Sequence, residues 1–122
     1  MKKVYLIEDD QFLQKLILRK LMSSNFEIGS APNWNVAQES ITDFKPDVLI
    51  LDLMLPVGID GFEILKYIRS KHVFKDTMII VFSNMATDDS EKKAIELGAN
   101  AYMVKSNFTL DELIDKVNEL AK

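Results

Sequence analysis

The 122-residue chain contains no cysteine, which excludes disulfides, thiolate zinc sites and cysteine nucleophiles and leaves nothing tying it to an oxidising compartment. It also lacks long apolar runs. Met1-Lys2-Lys3 leads into a four-residue apolar stretch, too short for a signal-peptide core and far too short to cross a bilayer. No cluster of lysines and arginines is present, and 19 acidic against 15 basic residues give a net charge of −4, so no direct electrostatic grip on nucleic acid or an anionic membrane is expected. Any influence on DNA is expected to pass through another protein. Low-complexity segments and internal repeats are absent too. The one histidine, His72, lies in the polar segment Ser70-Lys71-His72 and reads as a surface residue without a catalytic role. A soluble protein of the reducing cytoplasm is the simplest expectation.

What is present fits one globular domain over residues 1–122, because 48% hydrophobic and 28% charged residues are ordinary shares for a chain that buries a core. Short apolar runs alternate with longer amphipathic stretches, the pattern of repeated βα units whose helices cover a parallel sheet. Five units are counted. The expected strands are Val4 to Ile7, Glu27 to Ala31, Val48 to Leu51, Met78 to Phe82 and Ala101 to Val104. The third and fourth are almost uniformly apolar, as central strands buried on both faces should be. A first helix from Gln11 to Met22 directs Leu13, Leu16, Ile17 and Leu21 to the core. A second is expected from Asn33 to Phe44, with Ala37, Ile41 and Phe44 inward and Pro46 as its stop. Phe62, Leu65 and Ile68 form the stripe of a third. The fourth opens on Asp88 and Asp89 and stops at Gly98, while the fifth begins with the capping box Thr109-Leu110-Asp111-Glu112. The fifth runs to the chain end, so no output domain is expected.

In open α/β sheets of this kind ligands bind beyond the carboxyl ends of the strands. Just past those ends stand Glu8, Asp9 and Asp10, then Asp52, then Ser83 and Asn84, and finally Lys105. The three consecutive acids, taken alone, are ordinary helix-start residues. Asp52 is not ordinary, because it interrupts Val48-Leu49-Ile50-Leu51 and Leu53, where an unpaired buried charge is costly. If the first and third strands are neighbours, Asp9 and Asp52 face each other with Glu8 nearby. Hard oxygen ligands without histidine or cysteine select Mg²⁺ or a similar ion. Lys105 could merely end an edge strand and Ser83 merely cap a turn. Beside the acids, they become a counter-charge and a hydrogen-bond donor for phosphate oxygens.

Glu8-Asp9-Asp10, Asp52 within Leu51-Asp52-Leu53-Met54-Leu55-Pro56, Asp60-Gly61, Ser83 and Lys105 together resemble the signature of response-regulator receiver domains, in order and across the whole chain. The resemblance implies a flavodoxin-like, doubly wound (βα)5 fold with strand order 2-1-3-4-5. It implies Mg²⁺ held by Glu8, Asp9, Asp52 and the backbone carbonyl of Met54. Asp52 would be the phosphoacceptor, Lys105 the partner of the phosphoryl group, and Ser83 with Tyr102 the switch pair. The implied partners are a sensor histidine kinase or histidine phosphotransfer protein, and a downstream protein on the face of the fourth helix, fifth strand and fifth helix. The only catalysis implied is that of its own phosphoryl transfer and dephosphorylation.

The chain departs from the family in three places. Val57, Gly58 and Ile59 stand between Pro56 and Asp60, one residue more than usual. Asn84 follows Ser83 where alanine or glycine is common. Ser106 follows Lys105 where proline is usual, which weighs against the family's customary cis peptide, since cis without proline costs about 2.5 to 4 kcal/mol. Other readings fit less well. A haloacid-dehalogenase-type phosphatase wants a second aspartate where Met54 stands, and an FMN carrier wants a Ser/Thr/Gly-rich loop where Glu8-Asp9-Asp10 would repel phosphate. A pseudo-receiver, a binding module working without phosphorylation, is the strongest rival.

Overall fold

A computed structural model describes all residues, Met1–Lys122. Its five strands are β1 (Lys3–Ile7), β2 (Glu27–Ala31), β3 (Val48–Leu51), β4 (Met78–Ser83) and β5 (Ala101–Val104). They form one sheet in the order β2-β1-β3-β4-β5, with every neighbouring pair parallel. The helices are α1 (Gln11–Ser23), α2 (Trp34–Ala37), α3 (Ile41–Phe44), α4 (Gly61–Ser70), α5 (Asp88–Glu96) and α6 (Leu110–Leu120), with 3₁₀ turns at His72–Phe74 and Lys105–Asn107. This is the expected flavodoxin-like architecture and strand order.

Alternation along each strand sends successive side chains to opposite faces of the sheet, and both faces are covered. Val4, Leu6, Val48, Ile50, Ile80 and Phe82 meet Ile17 and Leu21 of α1 and Leu113 and Val117 of α6. Tyr5, Ile7, Leu49, Leu51, Ile79 and Val81 meet the cluster that includes Ala37, Ile41, Ile64, Leu65, Ile68 and Ala94. On α1, Leu16 is only half-buried, and Leu18 joins Leu13 at the margin of the core. No helix is long and apolar enough to cross a membrane.

The second expected helix is broken. Residues 34–37 and 41–44 form two single turns, and between them Glu39 and Ser40 donate to carbonyls three residues back, Val36 and Ala37. Ser40 leaves the helical conformation at φ −130°, and its hydroxyl meets the buried Tyr5 hydroxyl at 3.0 Å. A buried phenol needs such a partner, and serine bonds outside the helix readily. Ala37 and Ile41 stay inward across the break. The segment ends with Lys45 in the left-handed region at φ 52°, just before Pro46.

The helix ends follow the expected chemistry. Gly98 takes φ +112° after α5, and Thr109 and Glu112 complete both bonds of the capping box of α6, at 3.1 and 2.8 Å. The Lys105–Ser106 peptide is trans.

Candidate functional site

The carboxyl ends of β1, β3, β4 and β5 bring the expected site together. The strand ladder continues one residue past β1 and β3, where Glu8 N–H donates to Ala31 O and Asp52 N–H to Ile7 O. Glu8 is 2% exposed and Asp52 4% exposed, so both carboxylates enter the protein and need partners there. Asp9 is exposed at the rim. Asp10 serves the helix instead, since its Oδ1 accepts the N–H groups of Phe12 and Leu13 and caps α1. Helix-start chemistry thus applies to the third acid alone.

Lys105 supplies the positive charge. Its Nζ lies 2.6 Å from Glu8 Oε1 and 2.9 Å from Asp52 Oδ2. The remaining oxygens are occupied from the backbone, Glu8 Oε2 by Asp10 N–H at 3.1 Å and Asp52 Oδ1 by Met54 N–H at 3.0 Å. The second of these is an aspartate turn that folds the chain back immediately after β3. Burial pushes the Glu8 carboxyl above the ordinary glutamate range, partly offset by Lys105 and the Asp10 N–H and reinforced by the charge of Asp52. Burial alone would lower the Lys105 ammonium, but its hydrogen bonds to Glu8 and Asp52 and their charges outweigh that and leave it raised.

One carboxylate oxygen from each of Glu8, Asp9 and Asp52 lies within 4.8 Å of the others. Three hard oxygen donors without nitrogen or sulfur suit Mg²⁺, which keeps several waters and takes few protein carboxylates. The donor set therefore fits the ion implied by the sequence. Because Lys105 contacts two of these acids, a bound cation and the ammonium compete for the same negative charge.

Gly61, the first residue of α4, determines how closely that helix approaches the site. Its N–H donates to Leu53 O at 3.1 Å, and a Cβ there would lie 2.4 Å from Leu53 Cα and 2.5 Å from Asp52 O. Both obstacles are backbone and belong to the turn that carries Asp52. Gly61→Ala is expected to cost about 3 kcal/mol of stability through overpacking, and to slow any reaction at Asp52 by displacing its peptide. Urea unfolding together with the rate of phosphoryl uptake measures both; unchanged values would mean that α4 can withdraw freely.

The switch candidates sit beside this cluster. Ser83, the last residue of β4, is fully buried, and its Oγ lies 3.4 Å from Met85 N. Tyr102, on β5, donates its hydroxyl to Met85 O at 2.6 Å and also lies 3.1 Å from Ser90 Oγ. Asn84 and Met54 are exposed, and so is the loop from Val57 to Ile59. His72 lies exposed in the 3₁₀ turn after α4. Met85, two positions after Ser83, stands beside the site as its place in the sequence suggests, whereas Thr87 and Ser90 were not legible as site neighbours, although Thr87-Asp88-Asp89-Ser90 has the form of a helix start.

The family profile described as "Response regulator receiver domain" matches residues 4–118, and the chain belongs to that family. It is thus a response-regulator receiver of the kind found in two-component systems. Among curated proteins it is similar to transcriptional regulatory protein PrrA of Mycobacterium tuberculosis, 31% identical over 120 residues, covering 98% of this chain and 50% of the relative. It is also similar to transcriptional regulatory protein YdfI of Bacillus subtilis, 36% identical over 120 residues, covering 94% of this chain and 54% of the relative. The chain thus spans about half the length of these relatives. Their names denote transcriptional regulators, so the expectation of no direct nucleic-acid contact does not extend to those longer proteins. Among solved structures, the BeF3-activated N-terminal receiver domain of Klebsiella pneumoniae RstA superimposes with a TM-score of 0.88 at 26% identity, with 99% of each chain covered. The signal receiver domain of a DNA-binding response regulator from Colwellia psychrerythraea gives 0.89 at 29% identity, with 98% of each chain covered.

Proposed function

We propose that this receiver accepts a phosphoryl group on Asp52 from the phosphohistidine of a sensor histidine kinase or histidine phosphotransfer protein. The carrying observation is a nearly buried carboxylate at the end of a central strand, paired with Lys105 beside two further acids. A carboxylate oxygen of Asp52 forms the new bond to phosphorus while the P–N bond of the donor breaks and its electron pair returns to the imidazole. Lys105 moves its hydrogen bonds from the acids to a phosphoryl oxygen as negative charge arrives. Glu8, Asp9, Asp52 and the Met54 carbonyl would hold Mg²⁺, which when bound neutralises charge on the transferring group. The Met54 N–H keeps Asp52 oriented throughout.

Ser83, buried at the carboxyl end of β4 next to β3, would donate to the phosphoryl group, with Tyr102 reporting the change to the surface formed by α5, β5 and α6. A downstream protein would read that surface, in a reaction sequence placed in the cytoplasm. The test is intact mass after incubation with acetyl phosphate. A gain of one phosphoryl group that requires Mg²⁺ and disappears with chelator is expected. No gain with or without Mg²⁺ would overturn the reading and leave a binding module that works without phosphorylation.

A further inference from the structure

Met85, in the loop between β4 and α5, is held at both ends of its backbone. Its N–H points to Ser83 Oγ at 3.4 Å, a long contact, and its carbonyl receives the Tyr102 hydroxyl at 2.6 Å, a short one. The Tyr102 oxygen also has a neighbour in the first turn of α5, Ser90 Oγ at 3.1 Å. Ser90 is 7% exposed and is itself fastened to the N-cap of α5. Thr87 Oγ1 lies 2.9 Å from Ser90 Oγ, Ser90 N–H returns to Thr87 Oγ1 at 3.1 Å, and Ser90 Oγ is 2.8 Å from Thr87 O.

The hydroxyl protons can be counted. Tyr102 gives its proton to Met85 O, and Thr87 gives its own to Ser90 Oγ. The Ser90 proton is left to be shared between Thr87 O and the Tyr102 oxygen. A donor to the phenol oxygen makes the phenol a stronger donor in turn, in keeping with the short bond to Met85 O. Ser90 thus reinforces the contact that holds Met85, and Met85 is the residue that also touches Ser83.

We infer that Ser90 is a positioning residue for the switch, its hydroxyl anchoring Tyr102 inward and thereby holding the Met85 backbone, and with it Ser83, toward the phosphoacceptor site. This rests on the reading of Asp52 as a phosphoacceptor. Ser90 acts only through Tyr102 and Met85. The coupling is reciprocal: if the anchored tyrosine favours the arrangement that receives a phosphoryl group, a phosphoryl group favours the anchored tyrosine, and loss of the anchor weakens both by the same factor. The anchor is built on α5, so the helix start that caps α5 is also the point at which the site pulls on the outer surface.

A double-mutant cycle separates this role from simple helix capping. Beryllofluoride binding in the presence of Mg²⁺ is measured for the parent, Ser90→Ala, Tyr102→Phe and the double variant. Fluorine NMR of 3-fluorotyrosine-labelled protein follows Tyr102, whose resonance is assigned by its loss in Tyr102→Phe. Ser90→Ala is expected to weaken beryllofluoride binding about fivefold and to move the Tyr102 resonance toward the exposed position. In the Tyr102→Phe background, Ser90→Ala is expected to add nothing. Equal losses in both backgrounds, or an unmoved Tyr102 resonance, would reduce Ser90 to a capping residue and overturn the inference. A parent that does not bind beryllofluoride would instead overturn the phosphoacceptor reading, and the resonance would then decide the anchor by itself.

Discussion

Replacing Asp52 with asparagine is expected to abolish the mass gain from acetyl phosphate completely while leaving the fold intact. The amide keeps the shape of the side chain and can still accept the Met54 N–H, so the turn after β3 survives. What it loses is the anionic oxygen that attacks phosphorus, and no neighbouring acid can take over. Glu8 is directed to Lys105 and the Asp10 N–H, and Asp9 sits exposed at the rim. Stability should not fall, because Lys105 then balances one buried carboxylate instead of two. Intact mass and thermal melting of the same sample provide the check. Labelling of Asp52→Asn at the parent level would place the acceptor elsewhere and end the proposed mechanism.

Lys105→Met is expected to be the most damaging single change to stability at neutral pH. The ammonium is the only side-chain partner of two carboxylates that are almost wholly buried, and removing one member of a buried ion pair costs about 3 to 5 kcal/mol. The pH dependence has a definite sign. Glu8 already lies above the ordinary glutamate range in the folded protein and would rise further without Lys105. A carboxyl raised on folding takes up a proton that the unfolded chain releases, so the variant loses stability as pH rises from about 4.3, the unfolded glutamate value, through the folded one. The deficit against the parent should therefore be small near pH 4 and large near pH 8. In the parent, the raised Lys105 contributes fully below about 10.4 and loses its contribution as pH rises through its folded value. Urea midpoints across this range test the claim. Mg²⁺ should stabilise the variant more than the parent, because the cation no longer competes with the ammonium. A deficit independent of both pH and Mg²⁺ would show that lost packing, and not charge, was responsible.

Asp52 was legible because a charge that interrupts an apolar strand has no inexpensive explanation, and Glu8, Asp9 and Lys105 became legible beside it because in a parallel sheet all such strand ends lie on one side. The strand order was legible only through the family resemblance. The break between α2 and α3 was not, since Ala37 and Ile41 fall inward whether or not the helix is continuous. A contact between Ser40 and Tyr5, 35 positions apart, makes the difference. Gly61 was noticed within the motif, yet its reason is the absence of an atom where two backbones meet. Ser90 looked like any serine in a first helical turn; only the side chain of Tyr102, arriving from β5, gives it a second partner.

The pairing of Lys105 with Glu8 and Asp52 also bears on how the protein is made. The three groups follow β1, β3 and β5, and Lys105 joins Asp52 across 53 positions of chain. On a ribosome the acids emerge long before their counter-charge. The sheet is no less dependent on distant partners, since Val4 pairs with Val48 and Ile80 with Ala101, and non-local pairings of this kind form late and slowly. A growing chain therefore carries two strand-end carboxylates but no assembled pocket until the last strand docks on β4. On the proposed reading of Asp52, competence to accept a phosphoryl group would arrive in one step with completion of the fold, and unfinished chains would not drain the signal.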